Sequence, residues 1–358
     1  MIYDASTFEL PTRLRADLCV VGSGAGGSMA AMAAAEAGLQ VIVLEAGALV
    51  APGTMTQREE QMIPKLLWDH GGRTTADRRV AIHQGRSFGG STVHNTNLCK
   101  RIPAPILAAW RTDRGLRHLP LPRWEALYDE VESMLEVSAI EEARWSPHNR
   151  LLARGVAELG WEGGGLRHNR TGCIGSGFCE LGCAYEGKNN GAKVVLPRAM
   201  RAGASVITRC QAVRVEHDGG RATGVEALAL DARTREPLGR VTVEARQVCL
   251  SGSATGTAAV LLRSDVPDPG GETGNGLRIH PAVVAAGEME GEVRAWEGIP
   301  KSYECTEHLS LRGAARPPTG TRTWIVPAFA HPVGTATMLP GMGRGHRRLM
   351  EAYSRMAV

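Results

Sequence analysis

Leu18-Cys19-Val20-Val21-Gly22-Ser23-Gly24-Ala25-Gly26-Gly27 decides the architecture. The first four residues form an apolar run long enough for a buried strand. They lead straight into G-x-G-x-x-G. Ser28 to Ala37 follow, rich in alanine and free of proline and glycine, so they are expected to be helical. Gly38 ends that helix, Gln40 to Leu44 reads as a second strand, and Glu45 closes it, roughly 20 residues after the glycines. Each part has a physical task. Gly22 permits the tight turn, Gly24 lets backbone approach a pyrophosphate, and Gly27 lets helix and strand pack closely. The helix N-terminus offers free N–H groups and a positive dipole to phosphates. Glu45 is placed to accept hydrogen bonds from ribose hydroxyls. Strand, glycine turn, helix and acid in this order predict a Rossmann-like dinucleotide fold. The acid disfavours a 2′-phosphate, and hence NADP, without separating NAD from FAD.

The rest of the chain sets the bounds. Its 358 residues leave room for about two domains. Apolar residues make up 43% and charged residues 22%, ordinary globular usage. The net charge is +4, and basic residues are scattered apart from Arg344, His346, Arg347 and Arg348, so nucleic-acid binding is not expected. No apolar run approaches the roughly 20 residues that span a bilayer. The N-terminal segment to Asp17 has no apolar core of a signal peptide, so the expected location is cytoplasmic, where thiols stay reduced.

A second segment separates the cofactors. Gly85-Arg86-Ser87-Phe88-Gly89-Gly90-Ser91-Thr92-Val93-His94-Asn95-Thr96-Asn97 resembles the first signature of the glucose–methanol–choline (GMC) family of flavin-dependent alcohol oxidoreductases. In that family the segment lies against the flavin, and its glycine pair permits close backbone approach. Arg246 to Gly256 is similar to the family's late strand and small-residue loop that return to FAD. Asn275 to Pro281, with His280, is similar to the opening of its substrate domain. Between them, Val206 to Val248 alternates around Asp218-Gly219-Gly220, a hairpin signal where the family has a β-meander. The resemblance runs over roughly residues 14 to 350. It implies FAD as cofactor, held by Gly22, Gly24, Gly27, Glu45, Arg86, Gly89, Gly90, Ser91, His94, Asn95 and Asn97, with backbone near the adenine at about Val213. Some members attach the flavin 8α-methyl covalently to a His at the position of His94; the alternative is a His that only packs against it.

Cys173, Cys179 and Cys183 form C-x5-C-x3-C in a glycine-rich loop, within a cysteine loop taken as 168–190. Thiolates at short spacing suit an iron–sulfur cluster. The spacing resembles that in sugar dehydrogenase subunits that pass electrons from flavin to a cytochrome. It also resembles long-chain alcohol oxidase-like members, whose cysteines need not hold a metal. Three ligands are too few for a closed zinc site, and His168 would complete a set only by a loop excursion. Cys19, Cys99, Cys210, Cys249 and Cys305 stand alone.

The family's catalytic His takes the hydroxyl proton while the carbon gives hydride to flavin N5, work that suits an imidazole. His331, in His331-Pro332-Val333-Gly334-Thr335, is the candidate for that base. It follows His280 too closely for the family's substrate sheet to intervene, and a basic amphipathic stretch comes after it instead of the closing FAD motif. The chain is therefore expected to be truncated or half of a split protein, with an acceptor protein or a complementing C-terminal chain as partner. The fold class is α/β, a Rossmann-like FAD-binding domain over residues 1–265 plus a partial α+β substrate domain over 266–358. A lid is expected at about 50–80, and Trp124 to Val137 should be a surface helix. Three functions follow: a flavoenzyme oxidising an alcohol, an iron–sulfur electron-transfer subunit, or an inactive FAD-binding fragment.

Overall fold

The computed structural model describes residues 1–7, 12–279, 281–309, 322–329 and 331–358. His280, read above as part of the substrate-domain opening, lies outside them. The chain divides into two compact units. The first comprises Met1–Asn95, Glu180–Glu186 and Asn190–Pro281; the second comprises Thr96–Cys179, Gly187–Asn189 and Ala282–Val358. The units interleave in sequence, so residues 96–179 pack with 282–358.

The first unit is built on a seven-stranded sheet. Its strands are β1 (Ile2–Asp4), β2 (Arg13–Val21), β3 (Val41–Leu44), β4 (Ser205–Thr208), β5 (Cys210–His217), β6 (Ala222–Leu230) and β7 (Pro237–Leu250), in the spatial order β1-β4-β3-β2-β7-β6-β5. Pairing is parallel from β1 to β7. The last two strands run antiparallel as the meander. Residue β7 length explains how the two halves join. Val243 in its first half faces Val225 of β6, while Val248 and Leu250 further on face Cys19 and Val21 of β2. The hairpin expected at Asp218-Gly219-Gly220 forms: Gly219 has φ +92°, and Asp218 Oδ1 accepts N–H bonds from Gly220 and Arg221.

The strands are apolar because most are covered on both faces. Cys19, Val21, Leu44, Ile207, Val225 and Val243 share one buried cluster. Each such aliphatic side chain contributes about 1.5–3 kcal/mol through burial. Helix α1 (Ala25–Glu36) packs on this sheet through Ala31, Met32 and Ala35, and Gly38 with φ +86° ends it as expected. The 50–80 region holds more regular structure than a bare loop. Helix α2 (Glu59–Leu66) buries Met62 and Leu66, carries acids in its first turn and Lys65 in its last, and leads to a 3-10 turn at Trp68–Gly71. Helices α3 (Leu196–Arg201) and α4 (Ser253–Ser264) complete this unit's regular helices among the described residues.

The second unit is a smaller α+β assembly. Helices Ala104–Asp113, Leu121–Met134 and Pro147–Glu158 accompany a three-stranded sheet of Leu98–Cys99, Arg167–Asn169 and Val137–Ala139. The expected surface helix is thus present over Leu121–Met134, with its apolar residues half-buried. Asn149 is fully buried and its Oδ1 accepts N–H bonds from Ser302 and Tyr303 at 2.8 and 3.0 Å, tying helix to strand. No helix among the described residues is long and apolar enough to cross a membrane.

Candidate functional site

Strands β2, β3 and β7 end at one edge of the sheet, and a cavity of about 1070 Å³ opens there. Such a crevice at the carboxyl ends of parallel strands is where this topology leaves room for ligands. Every residue lining it belongs to the first unit.

The glycine turn forms one wall. Gly22 has φ +95°, and a Cβ there would lie 2.5 Å from the Ser251 carbonyl oxygen. A Cβ on Gly27 would lie 1.9 Å from the Gly22 carbonyl oxygen, so α1 can sit this close to β2 only without a side chain. Gly24 is the opposite case. Nothing stands within 4 Å of its Cβ direction, and it caps α1 while lining the cavity. The free N–H groups of that helix end are therefore open to an anion. The loop after β7 forms a second wall through Ser251, Gly252 and Thr255.

Glu45 lines the cavity and is buried. Its Oε2 accepts from the Ser23 backbone N–H at 3.0 Å and hydroxyl at 2.6 Å, and its Oε1 accepts from the Gly47 N–H at 2.7 Å. A carboxylate offers about four lone-pair sites, so one stays available for a hydroxyl donor. Burial pushes the Glu45 carboxyl above its ordinary range, against the pull of the Ser23 and Gly47 donors and the Arg86 charge. Ser23 is the variable residue between two glycines, a position the motif leaves open. Its Oγ also accepts from the Gly89 N–H at 2.9 Å, so one hydroxyl joins the glycine turn, the acid and the 85–97 segment.

That segment is folded tightly against the turn. Gly90 has φ +54°, and a Cβ on it would meet the Gly24 Cα at 2.7 Å. Gly90, Ser91 and Asn95 line the cavity; Gly89 supports it from behind. His94 is half-buried and is not among the lining residues. Arg86 is not among the residues lining this cavity and lines a second, smaller one. Val213 does not line the site, whereas Gln211 and Ala212, its neighbours on β5, do. Trp68, Arg73 and Gln84 also line the cavity, and no motif marks them. Gln84 Oε1 accepts from Arg73 and from Thr255, and the Arg73 and Arg86 guanidinium carbons lie 4.7 and 4.5 Å from the Trp68 ring centroid.

Asn97, Cys173, Cys179 and His331 belong to the second unit, and Cys183 to the first. Asn97 is buried with φ +67°, and its carbonyl oxygen accepts the Asn169 N–H, a bond that supports the small sheet. The iron–sulfur reading finds no support in the structure. Among the described residues no group of three or more His, Cys, Asp or Glu side chains is placed to hold a metal ion. None of the eight cysteines is in a disulfide, and Cys173 Sγ accepts the Gly175 N–H at 3.4 Å. His168 cannot complete a ligand set. It is fully buried, with Nε2 3.0 Å from the Lys301 carbonyl oxygen and Nδ1 3.4 Å from Arg170 Nη1. A neutral ring donating from Nε2 and accepting at Nδ1 has no lone pair left for a metal. Burial first, then the Arg170 charge, pulls His168 down to about 3. His331 caps the short helix Pro332–Met338, buried, its ring stacked on Phe178 at 4.5 Å and edge-on to Phe329 at 5.3 Å.

The comparisons with known proteins agree with this geometry. The family model of the GMC oxidoreductases matches residues 20–282. An uncharacterized GMC-type oxidoreductase of Mycobacterium tuberculosis is 32% identical over 354 residues, covering 98% of this chain and 53% of that protein. A long-chain-alcohol oxidase of Arabidopsis thaliana is 26% identical over 355 residues, 96% of this chain and 47% of its own length. The chain thus spans about half the length of these curated relatives. Among solved structures, pyridoxine 4-oxidase from Mesorbium loti matches with a TM-score of 0.50 at 19% identity, over 70% of this chain and 52% of that one. That likeness concerns the fold alone. From the match over most of its length, and from a glycine turn and flavin-type segment folded around one cavity, this chain belongs to the GMC oxidoreductase family.

Proposed function

We propose that this chain is the FAD-binding part of an oxidoreductase that oxidises the CH–OH group of an alcohol by hydride transfer to flavin N5. The observation that carries the reading is the 1070 Å³ cavity framed by Gly24, Glu45 and the Gly90–Ser91 backbone. Its size is at the top of the range of about 300–1,000 Å³ usual for ligand pockets, as an extended dinucleotide needs. The residues present fit that group: an open helix N-terminus for the pyrophosphate, a lone-pair site on Glu45 for a ribose hydroxyl, and side-chain-free backbone at Gly90 for a flat ring. Bound FAD supplies a hydride acceptor. The chain's own residues bind and orient it, with Ser23 holding Glu45 and Gly89 in register.

A long-chain alcohol is the substrate class that the Arabidopsis relatives favour. His94 does not line the cavity, so we read the flavin as held without a covalent bond. We assign His331 a packing role between Phe178 and Phe329 in place of the proton-accepting one. No metal-holding group among the described residues favours the electron-transfer alternative.

An absorption spectrum of the purified protein, before and after acid precipitation, tests this. Flavin bands that leave with the supernatant are expected. Flavin retained in the pellet would instead place a covalent bond at His94. A colourless protein that takes up no FAD on titration would sink the reading.

A further inference from the structure

A second cavity of about 370 Å³ lies within the first unit, between the loop after β3 and the turn joining β6 to β7. Four cationic side chains line it, Lys65, Arg86, Arg209 and Arg235, against one carboxylate, Asp231. Two of these charges are already committed. Arg209 is ion-paired with Asp4, and Asp231 Oδ1 accepts the Arg233 and Thr234 N–H groups and the Thr234 hydroxyl. Among the described residues, none of Lys65, Arg86 and Arg235 forms an ion pair, and the cavity lining carries a net positive charge.

Arg86 makes this more than a charged surface. It is 8% exposed, and its Nε is buried without a hydrogen-bond partner. Its guanidinium carbon lies 4.5 Å from the Trp68 ring centroid, a cation–π contact, and the residue lines the cavity. Burial and then the charge of Arg235 pull Arg86 down to about 10, with Glu45 and Asp69 opposing. Arg235 is itself held rigidly. It sits in the left-handed region at φ +64° and donates Nη2 to the Pro64 carbonyl oxygen at 2.7 Å. Two guanidinium groups at one cavity repel each other, and an anion bound between them would relieve that repulsion. The planar fork matches an oxyanion with two parallel bonds.

We propose that this cavity is a binding site for a small oxyanion, the phosphate or carboxylate group of a metabolite separate from the cofactor, held by Arg86, Arg235 and Lys65. The anion sits on the far side of Ala46 and Gly47, the residues that follow Glu45, so its binding would stiffen the loop that supports the cofactor cavity.

The experiment is calorimetric titration of inorganic phosphate, and separately of succinate, into purified protein with and without saturating FAD, its flavin content measured independently. Saturable one-site binding of either anion is expected in both forms, phosphate alone or succinate alone naming the class. Arg235→Gln should weaken it roughly tenfold or more, the scale of one charged hydrogen bond. Lys65→Gln, at an exposed position, should weaken it in the same direction and guards against misfolding of the first variant. Arg13→Gln with Arg15→Gln removes two exposed charges elsewhere and should leave it unchanged. No saturable binding, equal weakening by the Arg13 and Arg15 changes, or full displacement of the anion by FAD would each overturn the proposal. Because the cofactor-free protein is tested too, failure to bind FAD does not decide it.

Discussion

Gly24 and Gly27 are three residues apart in one motif, yet the structure assigns them different consequences on substitution. A Cβ on Gly27 falls 1.9 Å from the Gly22 carbonyl oxygen and 3.1 Å from the Ser251 Cβ. Restoring ordinary contact requires α1 to move off β2 by more than about 1 Å, an overpacking cost of roughly 1–3 kcal/mol or more. Gly27→Ala should therefore lower the melting temperature by about 3–10 °C, at about 2–4 °C per kcal/mol. The same displacement opens the anion-facing helix end, so FAD affinity should fall with it. Gly24 has extended backbone at φ −64° and no atom within 4 Å of its Cβ direction. Gly24→Ala should cost only the lesser capping preference of alanine, about 0.5–1 kcal/mol. Its methyl group projects into the cavity, so FAD affinity should drop at least tenfold with little change in the cofactor-free melt. Differential scanning fluorimetry of cofactor-free protein and flavin titration separate the two effects. A Gly27→Ala protein that melts with the wild type, or a Gly24→Ala protein destabilised as much as Gly27→Ala, would refute the reasoning.

Three further outcomes follow from the geometry. Ser23→Ala removes one donor to Glu45 and strands the buried Gly89 N–H, a loss of about 2–3 kcal/mol. Because burial already raises Glu45, its ionised form weakens stability as pH rises above the ordinary carboxylate range, and losing a Ser23 donor should enlarge that effect; chemical denaturation of both proteins across pH measures the widening gap. Burial pulls His148 down to about 4, so stability should fall as pH drops from the ordinary imidazole range toward 4, by up to about 3 kcal/mol. His148→Gln should flatten that part of the stability profile, and an unchanged slope would count against it. His331→Ala should lose about 1–2 kcal/mol of ring packing against Phe178 and Phe329 while flavin absorbance stays unchanged; loss of bound flavin without loss of stability would contradict the packing role.

The parallel sheet, the glycine turn, the acid at the end of β3 and the hairpin at Gly219 were legible in the chain because each is a local matter. Apolar run length, glycine at a forced turn and an alternating pattern are set by neighbours in sequence. The same locality brings Gly22, Gly24, Glu45, Gly90, Ser91 and Asn95, all motif residues, to the lining of one cavity. Tertiary structure alone decided the rest. Ser23 bridges Glu45 and Gly89 only because β2 carries the glycine turn beside a segment far along the chain. Trp68, Arg73 and Gln84 come from a stretch with no motif, folded over the cavity by α2. The cysteine spacing left a cluster and plain thiols both open, because spacing does not fix direction: left-handed glycines at 172, 175, 177 and 182 turn that loop repeatedly. Arg86 shows the division most clearly. The family resemblance implies a cofactor role for it, and in the fold it lines the smaller cavity beside Arg209 and Arg235, residues distant in sequence. A motif specifies where the backbone must bend and approach; where a long side chain ends up depends on which distant surfaces are packed around it.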